Sequence, residues 1–280
     1  MLRAESEING STRPNSVTNG NPSKENLKSR VLLFEIVSAN NVVEGDRKFV
    51  LYRIMMKKHI LDSQPVFLKR RYSEFHNLYS VFNSKHSHKL FNRFQFPKKS
   101  LISTLSQEQI AERARGLEQF LNLISSCELV NSHTFEMFLT KKEHSQAISH
   151  IKNKMFGDAA VLLENIFYIK EKLLKPPSIS VFDCLLELTA CLVEFGSFET
   201  AFKFCLLSVE HMRSLLAYQD VESAKIPLLR TAKQLAEKIG EDPEPFAAQL
   251  SSTPVTHNIY FQPVRSLLDI VRVRGNIPVS

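Results

Sequence analysis

The chain opens without an apolar run: up to about Ser29 it is Ser-, Asn-, Gly- and Pro-rich, with almost nothing to bury, and reads as a disordered tail. The pattern changes at Val31. Val31–Val37, Phe49–Met56 and Val66–Arg70 are short apolar blocks of strand type, and Gly45-Asp46 supplies a turn between the first two. The period then lengthens. Tyr72, Phe75, Leu78, Tyr79 and Phe82 share one helical face, with Ser73 placed to cap it and Glu74 in its first turn. A second stripe, Ile110, Ala114, Leu117, Phe120, Leu121 and Ile124, predicts a helix from Gln107 to Cys127. A shorter helix over Asn131–Leu139 has Ser132 as its cap. Three strands followed by helices predict an α+β unit built on a three-stranded antiparallel meander.

Beyond Glu143 only helical patterns remain. They cover Phe156–Leu174, broken by Pro176-Pro177, then Val181–Phe195, a segment from Ser197 to about Tyr218, and Ile226–Ile239. Pro227 suits the first turn of that last helix and Gly240 its end, and Pro263–Val273 suits a closing helix. Phe156-Gly157-Asp158 and Phe195-Gly196-Ser197 look like two openings of one repeated helical hairpin. The expected organisation is a tail over 1–28, an α+β domain over 29–142 and an all-α bundle over 143–280.

Charge narrows the partners. A formal net charge of +7 favours anionic surfaces: a membrane, nucleic acid or an acidic protein. No nucleic-acid motif is present, so none is expected as partner. Cys127, Cys184, Cys191 and Cys205 lack the spacing of a zinc site and read as buried free thiols of a reducing compartment. No signal-peptide pattern and no apolar run of membrane-spanning length is seen, so the protein is expected in the cytosol, touching membranes only peripherally. The chain has no His-x-x-x-His, no Gly-rich phosphate loop and no nucleophile elbow, which argues against an enzyme and against any cofactor or metal.

The candidate chemistry lies where a strand hands over to a helix. Lys69-Arg70-Arg71-Tyr72 places guanidinium groups and an aromatic ring at a helix N-terminus, a seat for a phosphorylated ring. Pro97-Lys98-Lys99 adds amines after an extended segment. The loop that follows carries Leu101 and Ile102, which suit either shallow insertion into a bilayer or packing beneath the next helix. Arg113 emerges at the edge of that helix's buried face, toward a pocket or toward an ion pair with Glu112, while Arg115 turns to water.

Arg71-Tyr72-Ser73-Glu74-Phe75, Pro97-Lys98-Lys99 and the run Arg113 to Leu121, in that order and spacing, resemble a phox-homology (PX) domain. With the helical part behind it, the chain resembles the sorting nexin 20/21 subfamily, whose C-terminal part is a tetratricopeptide-like bundle used for protein contacts. The resemblance implies binding of phosphatidylinositol 3-phosphate on the cytosolic face of early endosomes, and an adaptor role in which the bundle holds a cargo tail or trafficking factor. It implies that Arg71 holds the 3-phosphate, that Tyr72 packs on the inositol ring, and that Lys99, or else Lys98, meets the 1-phosphate. Arg113 would bond the 4- and 5-hydroxyls. Only Pro97 is present where the family often has two prolines, which leaves the choice of lysine open. The other reading is a protein scaffold whose lipid binding is weak or directed to lipids such as phosphatidylinositol 4,5-bisphosphate.

Overall fold

In a computed structural model of the chain, residues 32–86, 94–99, 106–216, 218–252 and 266–275 are described. All lie in one contact unit, Val31–Ser280. Strands β1 (Leu33–Glu44), β2 (Arg47–Lys57) and β3 (Val66–Arg71) form an antiparallel sheet in the order β1-β2-β3. Gly45 takes the left-handed conformation the hairpin turn requires, with φ of 58°. β1 runs seven residues past the expected end at Val37, through a bulge between Ile36 and Ser38, because polar Asn40 and Asn41 remain paired with Leu51 and Val50. Along β2, Val50, Tyr52, Ile54 and Met56 face the core, while Phe49, Leu51, Arg53 and Met55 face outward.

Helix side chains cover stretches of both sheet edges. Helix α1 spans Tyr72–His86 and α2 spans Gln107–Ser125. On α2, Glu118, Asn122 and Ser125 stand at helical spacing and read along β1. Glu118 Oε2 accepts the Ile36 N–H at 2.8 Å. Asn122 accepts from the Phe34 N–H at 3.1 Å and donates to its carbonyl at 2.9 Å. Ser125 donates to the Leu32 carbonyl. Bare strand edges invite pairing with other chains, and these bonds close that stretch of edge.

Helix α3 (His133–Lys152) is capped by Ser132, whose Oγ accepts the Phe135 N–H at 3.2 Å. It continues thirteen residues beyond the expected stop at Leu139, so the expected boundary at 142/143 falls inside one unbroken helix. Burial explains the extension. Phe135 and Leu139 enter the core under the sheet, while Ala147 and Ile151 enter the core of the helical part. Helix α4 (Phe156–Leu173) does the same in reverse: Leu163 and Ile166 serve the helical core, Ile169 and Leu173 the core under the sheet. Its Asn165 donates to the Phe67 carbonyl at 3.1 Å, covering part of the β3 edge.

Helices α5 (Ile179–Phe195), α6 (Phe198–Ser214), α7 (Gln219–Ile239), α8 (Glu244–Ser252) and α9 (Leu267–Arg274) complete the bundle. Gly240 ends α7 with φ of 79°, as expected. Pro227, however, sits inside α7 instead of opening it. Val221, Ala224 and Leu228 are fully buried at helical spacing, and their burial outweighs the cost of about 3 kcal/mol that an interior proline brings. The two Phe-Gly pairs are not equivalent either. Phe156-Gly157 begins α4, whereas Phe195 ends α5 and Gly196 is its left-handed cap. They meet in space instead: a Cβ on Gly157 would come within 2.7 Å of the Phe195 ring. Cys184, Cys191 and Cys205 are buried free thiols, and burial pushes Cys184 and Cys205 up to about 12.

Candidate functional site

The basic run at the end of β3 divides because successive strand residues face opposite sides. Arg70 points inward and is 1% exposed. Its Nη1 and Nη2 donate to Glu143 of α3 at 2.6 and 2.7 Å, and its Nε donates to the Phe138 carbonyl at 2.6 Å. Arg70 is thus a clasp between strand and helix, with no donor edge turned to a ligand. Arg71 points outward. Its guanidinium lies 3.6 Å from the centre of the Phe49 ring and donates to Glu44 at the end of β1.

Its main chain starts α1. The Arg71 N–H donates to Glu74 Oε2 at 2.7 Å, half of a capping box, so Glu74 does the capping work expected of Ser73. Tyr72 follows as the first helical residue, half-buried. Its hydroxyl donates to the Pro97 carbonyl at 2.7 Å. Burial pushes the phenol up, and the Arg113 charge pulls it partly back.

Pro97 reaches Tyr72 because α2 lacks a side chain where they meet. A Cβ on Gly116 would come within 2.5 Å of the Pro97 ring. Upstream, Phe96 stacks on Tyr79 with ring centres 4.4 Å apart and stands edge-on to Phe120. This aromatic anchoring fixes 94–99 between α1 and α2. Arg113, three residues before Gly116, then lies 4.7 Å from the centre of the Tyr72 ring and donates to the Lys98 carbonyl at 3.1 Å. Arg115 is exposed, on the other side of the helix.

Tyr72, Pro97, Lys98 and Arg113 are therefore brought together by direct contacts. Lys98 and Lys99 both present exposed side chains beside them. The guanidinium of Arg71 is turned to Glu44 and Phe49 instead of lying over Tyr72. Leu101 and Ile102 lie outside the described residues. Sequence reasoning missed Glu44 and Phe49 as neighbours of Arg71, and Gly116 as the seat of Pro97. A glycine in the middle of an otherwise regular helical stripe was the one signal available.

A protein-family model of the PX domain matches residues 59–142, from the β2–β3 connection into α3. The chain carries a PX domain. Sorting nexin-20 of Bos taurus is 28% identical over 220 residues, which cover 75% of this chain and 66% of its own length. Sorting nexin-21 of Mus musculus is 31% identical over 156 residues, covering 55% of this chain and 43% of its own. The chain thus resembles the sorting nexins 20 and 21, and matches just under two thirds of the former and under half of the latter. A solved structure titled as a designed CISK-PX domain aligns over 38% of this chain and 96% of its own, at 27% identity and a TM-score of 0.33. The PX domain's match takes in Arg71, Tyr72, Lys98, Lys99 and Arg113. Among the described residues, no helix is long and apolar enough to cross a membrane.

Proposed function

We propose that the chain is a phosphoinositide-binding adaptor of endosomal trafficking, with phosphatidylinositol 3-phosphate as its preferred lipid. The observation that carries this is the contact set Tyr72–Pro97 and Arg113–Lys98, which joins three separate segments around one aromatic ring. An inositol ring lies on Tyr72. Arg113, already oriented over that ring, bonds the 4- and 5-hydroxyls, so phosphates at those positions are disfavoured. Arg71 takes the 3-phosphate by exchanging its Glu44 carboxylate for phosphate oxygens. Lys99 or Lys98 meets the 1-phosphate. Near-surface lysines add roughly 1 kcal/mol each of attraction to an anionic leaflet.

The helical part, read as a tetratricopeptide-like bundle, holds a cargo tail or trafficking factor. Lipid and protein together retain the chain on an early endosome by effective concentration. The chemistry is recognition, not catalysis.

Liposome sedimentation across the phosphoinositides tests this reading. Vesicles with phosphatidylinositol 3-phosphate should bind best. Arg71→Ala should abolish the preference with the fold intact, and Arg113→Ala should weaken binding and relax selectivity. Equal binding to every phosphoinositide, or binding indifferent to Arg71→Ala, overturns it.

A further inference from the structure

The outward face of the sheet holds a pair of like charges that the fold itself does not call for. β2 sends Arg53 to this face, and its direct cross-strand partners are Ser38 on β1 and Lys69 on β3. Directly opposed side chains on an antiparallel sheet have Cβ atoms about 4.5–5.5 Å apart, and like charges there are destabilising. Arg53 and Lys69 are both exposed. Among the described residues, neither has a carboxylate within ion-pair distance. Glu35, an acid of the same face, is paired with Met55 and stands outside their row, and Glu44 is taken by Arg71.

Arg53 is also held ready. Its guanidinium lies 4.4 Å from the centre of the Phe67 ring. An arginine stacked in this way is pre-organised and keeps its N–H edge for a planar acceptor with two oxygens. The row lies in a trough of about 490 Å³ whose walls include Ser38, Asn40, Leu51 and Phe67.

We propose that this face of the sheet docks an acidic peptide segment of a protein partner. The two cations call for carboxylates, Ser38 and Asn40 for main-chain groups, and half-buried Leu51 and Phe67 for apolar side chains. A short peptide that mixes acidic and apolar residues carries all three. A phosphate headgroup carries only the first. The inference is separate from the headgroup reading, in which neither Arg53 nor Lys69 has a part. Like-charge juxtaposition at a surface is the kind of local conflict that binding relieves.

The test uses the full chain and a fluorescent synthetic peptide, acetyl-Glu-Glu-Leu-Glu-Glu-Leu-amide, followed by anisotropy at physiological ionic strength. Lys69→Glu and Arg53→Gln should each weaken binding by about tenfold. Lys69→Glu places a carboxylate opposite Arg53, so it should raise the melting temperature, by about 1–3 °C. A more stable chain that binds less identifies a face kept for a partner. Absence of binding to the unaltered chain, or binding by both variants as tight as by the unaltered chain, overturns the proposal. So does a melting temperature lowered by Lys69→Glu. Phosphatidylserine vesicles that bind through these two residues while the peptide does not would give the face to a membrane and equally overturn it.

Discussion

The ring of Pro97 rests on the bare backbone of Gly116, where an added Cβ would come within 2.5 Å of it. That contact sets the carbonyl of Pro97 against the Tyr72 hydroxyl and the carbonyl of Lys98 against Arg113. Gly116→Ala pits two effects against each other. Alanine favours the helix by about 1 kcal/mol, but a backbone-linked ring must move to admit it. The site should lose more than the helix gains. The expected result is a near-unchanged melting temperature with phosphoinositide-vesicle binding weakened about tenfold, read by sedimentation.

The Arg70–Glu143 clasp should be expensive to break from one side. Glu143→Gln leaves a 1% exposed guanidinium with a neutral partner, and a cost of about 2–4 kcal/mol follows. The double variant Arg70→Met with Glu143→Leu should recover most of it, since no charge is then left buried. Denaturant midpoints for the three chains check this.

Glu44 competes with any phosphate for Arg71. The ion pair is largely exposed, and such pairs are weak. On the proposed headgroup reading, Glu44→Gln should tighten binding by about twofold to fivefold, with less effect at high salt. Titration with vesicles at two ionic strengths gives the answer. Weaker binding by the variant would mean that Glu44 helps to place Arg71.

Asp62 ties the β2–β3 connection to α4. Its carboxylate takes a hydrogen bond from Lys172 at 2.7 Å and others from the main chain of Lys58 and Gln64, and these hold its pKa well below the ordinary 3.8. A depressed carboxylate stabilises the fold fully above its ordinary value, and this is lost as pH falls below it. Asp62→Asn should therefore be less stable than the unaltered chain at pH 7. The gap should begin to close only below about pH 3.8, as thermal melts of both chains over a pH series would record.

Much of this architecture was legible in the residues. The α2 stripe is buried as read, with Leu117, Phe120, Leu121 and Ile124 all at 0% exposure, because a long regular period leaves one face for the core. Arg113 and Arg115 diverge as their helical positions require. What escaped was set by distant partners. Lys69-Arg70-Arg71 reads as one basic run; strand alternation turns Arg70 inward, but the carboxylate that receives it there, Glu143, lies 73 residues on. The end of α3 escaped for a similar reason: its second half is polar in sequence, and only the helical core shows why Ala147 and Ile151 continue it. Pro227 misled because a local rule met a burial demand from elsewhere in the bundle.

The shared helices bear on how the molecule can be divided. A fragment ending at residue 142 would keep every residue of the proposed headgroup site, yet lack Glu143, Asn165, Ile169 and Leu173. It would carry a buried guanidinium stripped of its two bonds to Glu143, an uncovered main-chain carbonyl on β3 and an apolar hollow open to water. Such a fragment should clump where the intact chain stays dispersed, so a lipid affinity measured on it would report avidity between aggregates and vesicles instead of one site meeting one headgroup.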